Sequence, residues 1–145
     1  MKLRLTKHFS FEMAHALPAY DGLCSNIHGH SYKLALTIEG PTNADPTSPH
    51  CGMVVDFRKM KTVVEETILS RFDHTLVLPE DSPYKVDGPL RIIRTPFQPT
   101  TENLLAYFAQ LLEQRFASDD SLPPEVKLFS LRLSETETST AELFW

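Results

Sequence analysis

Cys24-Ser25-Asn26-Ile27-His28-Gly29-His30-Ser31-Tyr32-Lys33-Leu34-Ala35-Leu36-Thr37-Ile38-Glu39 carries the plainest pattern in the chain. From His28 onward, His28, His30, Tyr32, Leu34, Leu36 and Ile38 share one parity, and Ser31, Lys33, Thr37 and Glu39 share the other. Alternation of this kind predicts a strand with one face on a core. Two imidazoles stand side by side at one end of that apolar face, where unpaired polar groups are costly to bury. A shared zinc ion would partner both, and a thiol, Cys24, lies just upstream.

Working back toward the N-terminus, Leu3 to Leu17 also reads as a strand, with Phe9, Phe11, Met13 and His15 on one face and Ser10, Glu12 and Ala14 on the other. Pro18 to Asn26 is a loop. If the two strands pair as a hairpin, His15 approaches His28 and His30. Three histidines with an open fourth position is the pattern of a catalytic zinc site rather than a closed structural one. Taken alone, His15 also reads as a hydrogen-bonded core histidine. Cys24 is either a fourth ligand that closes the site or a thiol beside the metal, its thiolate favoured by the nearby cation. The spacing does not separate these two readings.

Working forward, Gly40 to Gly52 is a connection rich in turn residues. Asp56 to about Arg71 steps by three or four through Phe57, Met60, Val64, Ile68 and Phe72, which predicts an amphipathic helix capped by Asp56. Between Asp73 and Pro99, Leu76-Val77-Leu78 and Leu90-Arg91-Ile92-Ile93 are short apolar runs around a Pro/Asp/Gly-rich connection. Thr100 to Phe116 predicts a second helix, with its stripe at Leu104, Leu105, Phe108, Leu111, Leu112 and Phe116 and its start at Pro99-Thr100-Thr101-Glu102. After a loop at Asp119 to Pro124, strands follow at Val126 to Thr136 and Ala141 to Trp145. The order is that of an α+β fold: one domain over residues 1–145, with helices against one face of an antiparallel sheet.

Bulk properties narrow the function. The chain has 145 residues, 41% of them hydrophobic and 23% charged, enough for one packed core. Its formal net charge of -5, with no basic run, argues against nucleic acid as a partner. The N-terminus alternates charged and apolar residues, unlike a signal peptide, and no stretch approaches the roughly 20 apolar residues of a membrane span. A cytoplasmic protein is expected, with Cys24 and Cys51 as thiols rather than a disulfide. His50 and Cys51, adjacent in a connection, carry no chemistry in this reading.

Two further acids stand out. Asp73-His74 follows the first helix; it is either a helix end with His74 near the last carbonyls or a general acid/base oriented by a carboxylate. Glu135 extends a strand face of Lys127, Phe129, Leu131 and Leu133. It is either a strand end reaching solvent or a buried acceptor for a ligand with paired N–H donors. Thr100 and Thr101 read as helix caps.

Together these residues resemble the 6-pyruvoyltetrahydropterin synthase family, and within it the bacterial 6-carboxytetrahydropterin synthase branch. The resemblance runs from Phe9 to about Glu142. It rests on Phe11-Glu12-Met13-Ala14-His15, the Cys24 to Tyr32 motif, Gly52-Met53-Val54-Val55-Asp56-Phe57, Phe72-Asp73-His74, Pro99-Thr100-Thr101-Glu102-Asn103 and Ser134-Glu135-Thr136. It implies a tunnelling fold whose sheets associate into a barrel, typically a homohexamer built as a dimer of trimers with interfacial active sites. It also implies zinc on His15, His28 and His30, a catalytic Cys24 that is not a ligand, and Asp73 and His74 as a proton-transfer pair that serves a neighbouring subunit. Glu135 would hold the pterin ring, aided by the segment at Thr100 and Thr101. The three residues between Cys24 and His28 match the carboxy branch. The implied reaction converts 7,8-dihydroneopterin triphosphate to 6-carboxy-5,6,7,8-tetrahydropterin, a precursor in queuosine biosynthesis, and releases acetaldehyde and triphosphate. The alternatives are the pyruvoyl sister reaction and a non-catalytic, zinc-stabilised pterin-binding protein. Lys33, Arg58, Arg91 and Arg94 are candidates for holding the triphosphate. The stretch from Leu76 to Phe97 looks longer than in compact members of the family.

Overall fold

The two alternating segments pair as expected in the computed structural model, which describes residues 1–145. Strand β1 (Leu3–His15) and strand β2 (His28–Gly40) form an antiparallel hairpin with Phe9 opposite Leu34, Phe11 opposite Tyr32 and His15 opposite His28. On the far side of β2 lies β5 (Lys127–Ser134), followed by β6 (Thr140–Phe144), both antiparallel. The short apolar runs of the middle segment become β3 (Thr75–Pro79) and β4 (Ile92–Thr95). They add to the other edge, giving the order β4-β3-β1-β2-β5-β6. Here the expectation of an antiparallel sheet needs refining. Strands β1, β2, β5 and β6 pair antiparallel, but β3 runs parallel to β1 and β4 parallel to β3. A helix carries the chain from the hairpin to β3, and a crossover of that kind permits parallel pairing.

Helix α1 (Phe57–Val64) begins at Asp56, whose carboxylate accepts the Arg58 N–H at 2.7 Å. It runs on through a π turn, Glu65–Leu69, into a final α turn, Ser70–Phe72. Helix α2 (Thr101–Ser118) begins at Thr100, whose hydroxyl accepts the Asn103 N–H at 3.2 Å. Both helices cover one face of the sheet. Between the layers, Phe108 meets the edge of Phe72 at 4.9 Å and Phe11 at 6.3 Å, while Phe11 stacks on Tyr32 at 5.3 Å. Met60, Val63, Val64 and Ile68 from α1 and Leu104, Leu105 and Leu112 from α2 complete the core against Leu34, Leu36, Ile38, Leu131 and Leu133. The ends of the helices are tied by Asp119, which pairs with Lys59 at 2.9 Å and Arg115 at 3.1 Å.

Two expected core positions lie elsewhere. Phe57 is half exposed, because it starts the helix at the rim of the sheet; Val63 takes the buried place. On β5 the alternation through Lys127 and Phe129 is broken by a bulge opposite Thr37 and Ile38. The extra residue reverses parity, so Leu131 and Leu133 face the core while Phe129 packs under the Arg4 guanidinium, 3.5 Å from its ring centre. No helix is long and apolar enough to cross a membrane.

Candidate metal centre and active site

Strand register builds the centre. His15 ends β1 directly across from His28, and His30 follows two residues along the same face of β2. Their ligand-capable atoms all lie within 4.8 Å of one another. His15 Nε2 is 3.1 Å from His28 Nε2. Each of these two rings is oriented from behind. His15 Nδ1–H donates to the Pro99 carbonyl at 2.7 Å, and His28 Nδ1–H donates to the Asn26 carbonyl at 2.7 Å. These bonds fix the tautomers and leave both Nε2 lone pairs turned inward, the arrangement that metal-binding histidines use. Burial holds the pKa of His15 below its usual 6.5, against the raising effects of the Pro99 carbonyl and Glu135, so the ring is neutral at pH 7.

Two observations test whether a cation fits. His30 Nε2 is buried and has no hydrogen-bond partner. The Glu135 carboxylate also faces the cluster, with Oε1 at 3.4 Å from His15 Nε2 and 3.6 Å from His30 Nε2. Those separations are long for hydrogen bonds. A divalent cation at this point would give both the orphaned His30 nitrogen and the part-buried carboxylate a partner. The three histidines can hold a metal ion.

Tyr32 was not singled out as a site residue in the sequence. Its ring is fully buried next to the histidines, and its hydroxyl points to Glu135 Oε1 at 3.4 Å, a weak contact of the same length as that of His15. Burial, reinforced by the Glu135 charge, raises the phenol far above its ordinary value, so Tyr32 stays a donor. The available signal was its position, next after His28 and His30 on the same face of β2.

Cys24 lies in a short 3₁₀ turn, Leu23–Ser25. It lines an open cavity of about 490 Å³ together with Thr100, Thr101 and Glu135. That size falls in the range of small-molecule sites, roughly 300–1,000 Å³. Thus Glu135 touches both the histidine cluster and the cavity of the thiol. Thr100 serves as the α2 cap expected of it and also lines the cavity. Cys24 and Cys51 are both free thiols.

Asp73 and His74 follow α1 but lie apart from this cavity. The His74 backbone sits in the left-handed region at φ 57°, sparsely populated for residues other than glycine. Its N–H donates to the Glu12 carbonyl at 2.6 Å, which ties the turn to β1. The Asp73 carboxylate accepts the Glu12 N–H at 2.9 Å and the His74 Nδ1–H at 2.8 Å. His74 Nε2 is therefore the free nitrogen, on a ring that is 72% exposed. The simpler reading, with His74 near the last carbonyls of the helix, does not hold. Arg91 takes that place, donating to Ser70 O at 3.0 Å and Asp73 O at 3.2 Å. Nothing in the sequence spacing linked Arg91 to this turn. His74 faces a second cavity, of about 480 Å³, with Glu12, Ala14, Gly29 and Ser31, and His30 of the triad borders the same cavity. Glu12, Ala14, Gly29 and Ser31 have the opposite parity to the three histidines, and the cavity of Cys24 shares no lining residue with this one.

Two of the other cations considered for phosphate, Arg58 and Arg94, are held locally, while Lys33 is not. Arg58 pairs with Asp56 at 3.0 Å, and Arg94 donates to the carbonyls of Pro79 and Tyr84.

Residues 4–144 match the family model described as 6-pyruvoyl tetrahydropterin synthase. A 6-carboxy-5,6,7,8-tetrahydropterin synthase of Haemophilus influenzae is 32% identical, over 96% of each chain. Among solved structures, an uncharacterized protein from Wolinella succinogenes superposes with a TM-score of 0.77 at 19% identity, covering 99% of this chain and 98% of that one. The 6-pyruvoyl tetrahydropterin synthase of Plasmodium falciparum does so at 0.73 and 23% identity, covering 98% and 96%. With a match to that model over residues 4–144 and a relative 32% identical over 96% of each chain, the chain belongs to the 6-pyruvoyl tetrahydropterin synthase family.

Proposed function

We propose that the chain converts 7,8-dihydroneopterin triphosphate and water to 6-carboxy-5,6,7,8-tetrahydropterin with release of acetaldehyde and triphosphate. The carrying observation is the junction at Glu135, where one carboxylate borders both the three-histidine cluster and the cavity of Cys24. The curated name of the Haemophilus influenzae relative supports the carboxy product over the pyruvoyl one.

His15, His28 and His30 would hold zinc, which supplies Lewis acidity toward the hydroxyls of the substrate side chain. Glu135 accepts the paired N–H groups of the pterin ring, with Tyr32 fixing one oxygen. A bidentate acceptor of this kind rejects rings without those donors. Thr100 and Thr101 bound the same cavity. Cys24, as thiolate, removes a proton from the side chain. His74 Nε2, its tautomer set by Asp73, moves the second proton. His74 and Cys24 of one copy line different cavities, which supports a role for His74 in the site of an adjoining copy in a homohexamer.

Incubation of the zinc-loaded protein with 7,8-dihydroneopterin triphosphate should release acetaldehyde in step with the 6-carboxy product. Cys24→Ala should stop turnover and keep its zinc. A pyruvoyl product without acetaldehyde would assign the sister reaction, and binding without turnover would refute the enzymatic reading.

A further inference from the structure

The turn that carries Cys24 is held in an unusual way. None of its three residues is buried, and Leu23 is almost wholly exposed. Packing therefore does not fix the thiol; hydrogen bonds to the backbone do. The Leu23 carbonyl accepts from the Asn26 N–H at 3.1 Å, the Cys24 carbonyl from the Leu17 N–H at 2.9 Å, and the Asn26 carbonyl from His28. These partners are all close in sequence. The Ser25 carbonyl is different. It accepts the Tyr84 hydroxyl, 59 residues away in the connection between β3 and β4.

Tyr84 is itself anchored. Its carbonyl accepts from Arg94 at 3.4 Å, the same guanidinium that binds the Pro79 carbonyl at 3.3 Å, and its N–H donates to the Ser82 hydroxyl at 3.3 Å. A half-buried ring, fixed at its backbone by β4, thus reaches over to the residue that follows the thiol.

We propose that Tyr84 is a positioning residue for Cys24: its bond to the Ser25 carbonyl holds the exposed turn so that the thiol keeps its place in the cavity shared with Glu135. The proposal rests on the reading of Cys24 as the reacting thiol. It gives the 80–91 connection a role that its sequence does not announce. Without the hydroxyl no buried side chain restrains the turn, and the thiol samples positions outside reach of the substrate. Small misplacements of a reacting group cost rate rather than binding.

The test is Tyr84→Phe, which keeps the ring and removes the donor. One such bond lost corresponds to about a tenfold fall in kcat, with KM and zinc content unchanged. The second readout is independent of turnover. Iodoacetamide alkylation of Cys24, measured by mass spectrometry against exposed Cys51 in the same molecule, should accelerate about fivefold as the turn loosens. An unchanged kcat, or a Cys24 to Cys51 ratio that does not rise, overturns the proposal. Cys24→Ala, run alongside, separates the two claims. Full activity there would refute the reading of Cys24, while the alkylation ratio in Tyr84→Phe would still report on the turn. Should Tyr84→Phe fail to fold, Arg94→Gln, which frees the Pro79 and Tyr84 carbonyls, carries the same two readouts and the same criteria.

Discussion

Removing one imidazole from the cluster gives a direct measure of the metal centre, and His28 is the residue to remove. It is only half-buried, and its loss costs the metal-free fold one bond to the Asn26 carbonyl, about 1 kcal/mol. The variant should therefore fold. In the wild type, free zinc at about 100 times Kd stabilises the folded state by about 2.7 kcal/mol. Unfolding entropy of about 2.1 cal/mol/K per residue, over 145 residues, gives about 0.3 kcal/mol/K. The expected rise in Tm is thus about 9 °C. Loss of a ligand weakens affinity at least as much as loss of a residue supporting one, about 100-fold. The same zinc concentration then stands near the variant's Kd, the linkage falls to about 0.4 kcal/mol, and Tm rises by only about 1 °C. Differential scanning fluorimetry of chelator-stripped protein with and without zinc, paired with metal analysis, reads both numbers. A rise of about 9 °C in His28→Ala would put the ion somewhere other than the histidine cluster. No rise in the wild type would refute the fit argued from the orphaned His30 nitrogen.

Glu135→Gln should weaken pterin binding and keep bound zinc; loss of zinc with the carboxylate would make Glu135 a ligand instead. The Ser121 hydroxyl, then Lys59, hold the Asp119 carboxyl well below its ordinary 3.8, so its contribution is present above that value and is lost as pH falls toward the lowered folded pKa. Asp119→Asn should cost about 1 kcal/mol in denaturant melts at pH 7, since water screens the rim of the cluster, and the gap to wild type should close in acid; a gap constant with pH would show that charge is not its source. Finally, Cys24→Ala and His74→Ala chains, each inactive alone, should recover about a quarter of wild-type activity when co-assembled at random, because a site drawn from two copies is intact in that share of cases. Zero recovery would place both groups in one chain's site.

What could be read from the sequence follows the range of the signal. Period-two alternation fixed the faces of β1 and β2, and with them the convergence of His15, His28 and His30, because hairpin pairing is local and its register sets which side chains meet. The caps at Asp56 and Thr100 were equally legible, since a cap bonds within its own first turn. The bulge in β5 was not, because it arises between two strands and leaves no mark on either alone. The π turn in α1 was hidden for a related reason: Val64, Ile68 and Phe72 satisfy both a four-residue step and a widened turn. Tyr84, and the hold of Arg91 on the turn before β3, stayed invisible because each acts through a backbone carbonyl, and a carbonyl acceptor has no residue identity to detect.

The same distinction explains why Asp73 and His74 were recognisable as a pair but not assignable to a site. Their mutual bond is local, and it leaves Nε2 as the free nitrogen. Their reach is not local. Proton transfer needs heavy atoms within about 3 Å, and side chains on opposite faces of a sheet point away from one another along the strand. In a single copy, His74 opens onto the face of Glu12 and Ser31, while Cys24 opens onto the cavity of Glu135. The left-handed turn at His74 is held by Glu12 of β1 and capped by Arg91, so rotating the imidazole through the sheet would break both attachments. A backbone strained into that conformation and an imidazole left 72% exposed describe a group presented outward. A second copy brought against that face would supply the missing neighbour with no rearrangement of the first. That is the physical argument behind the proposal that the reaction lies between subunits.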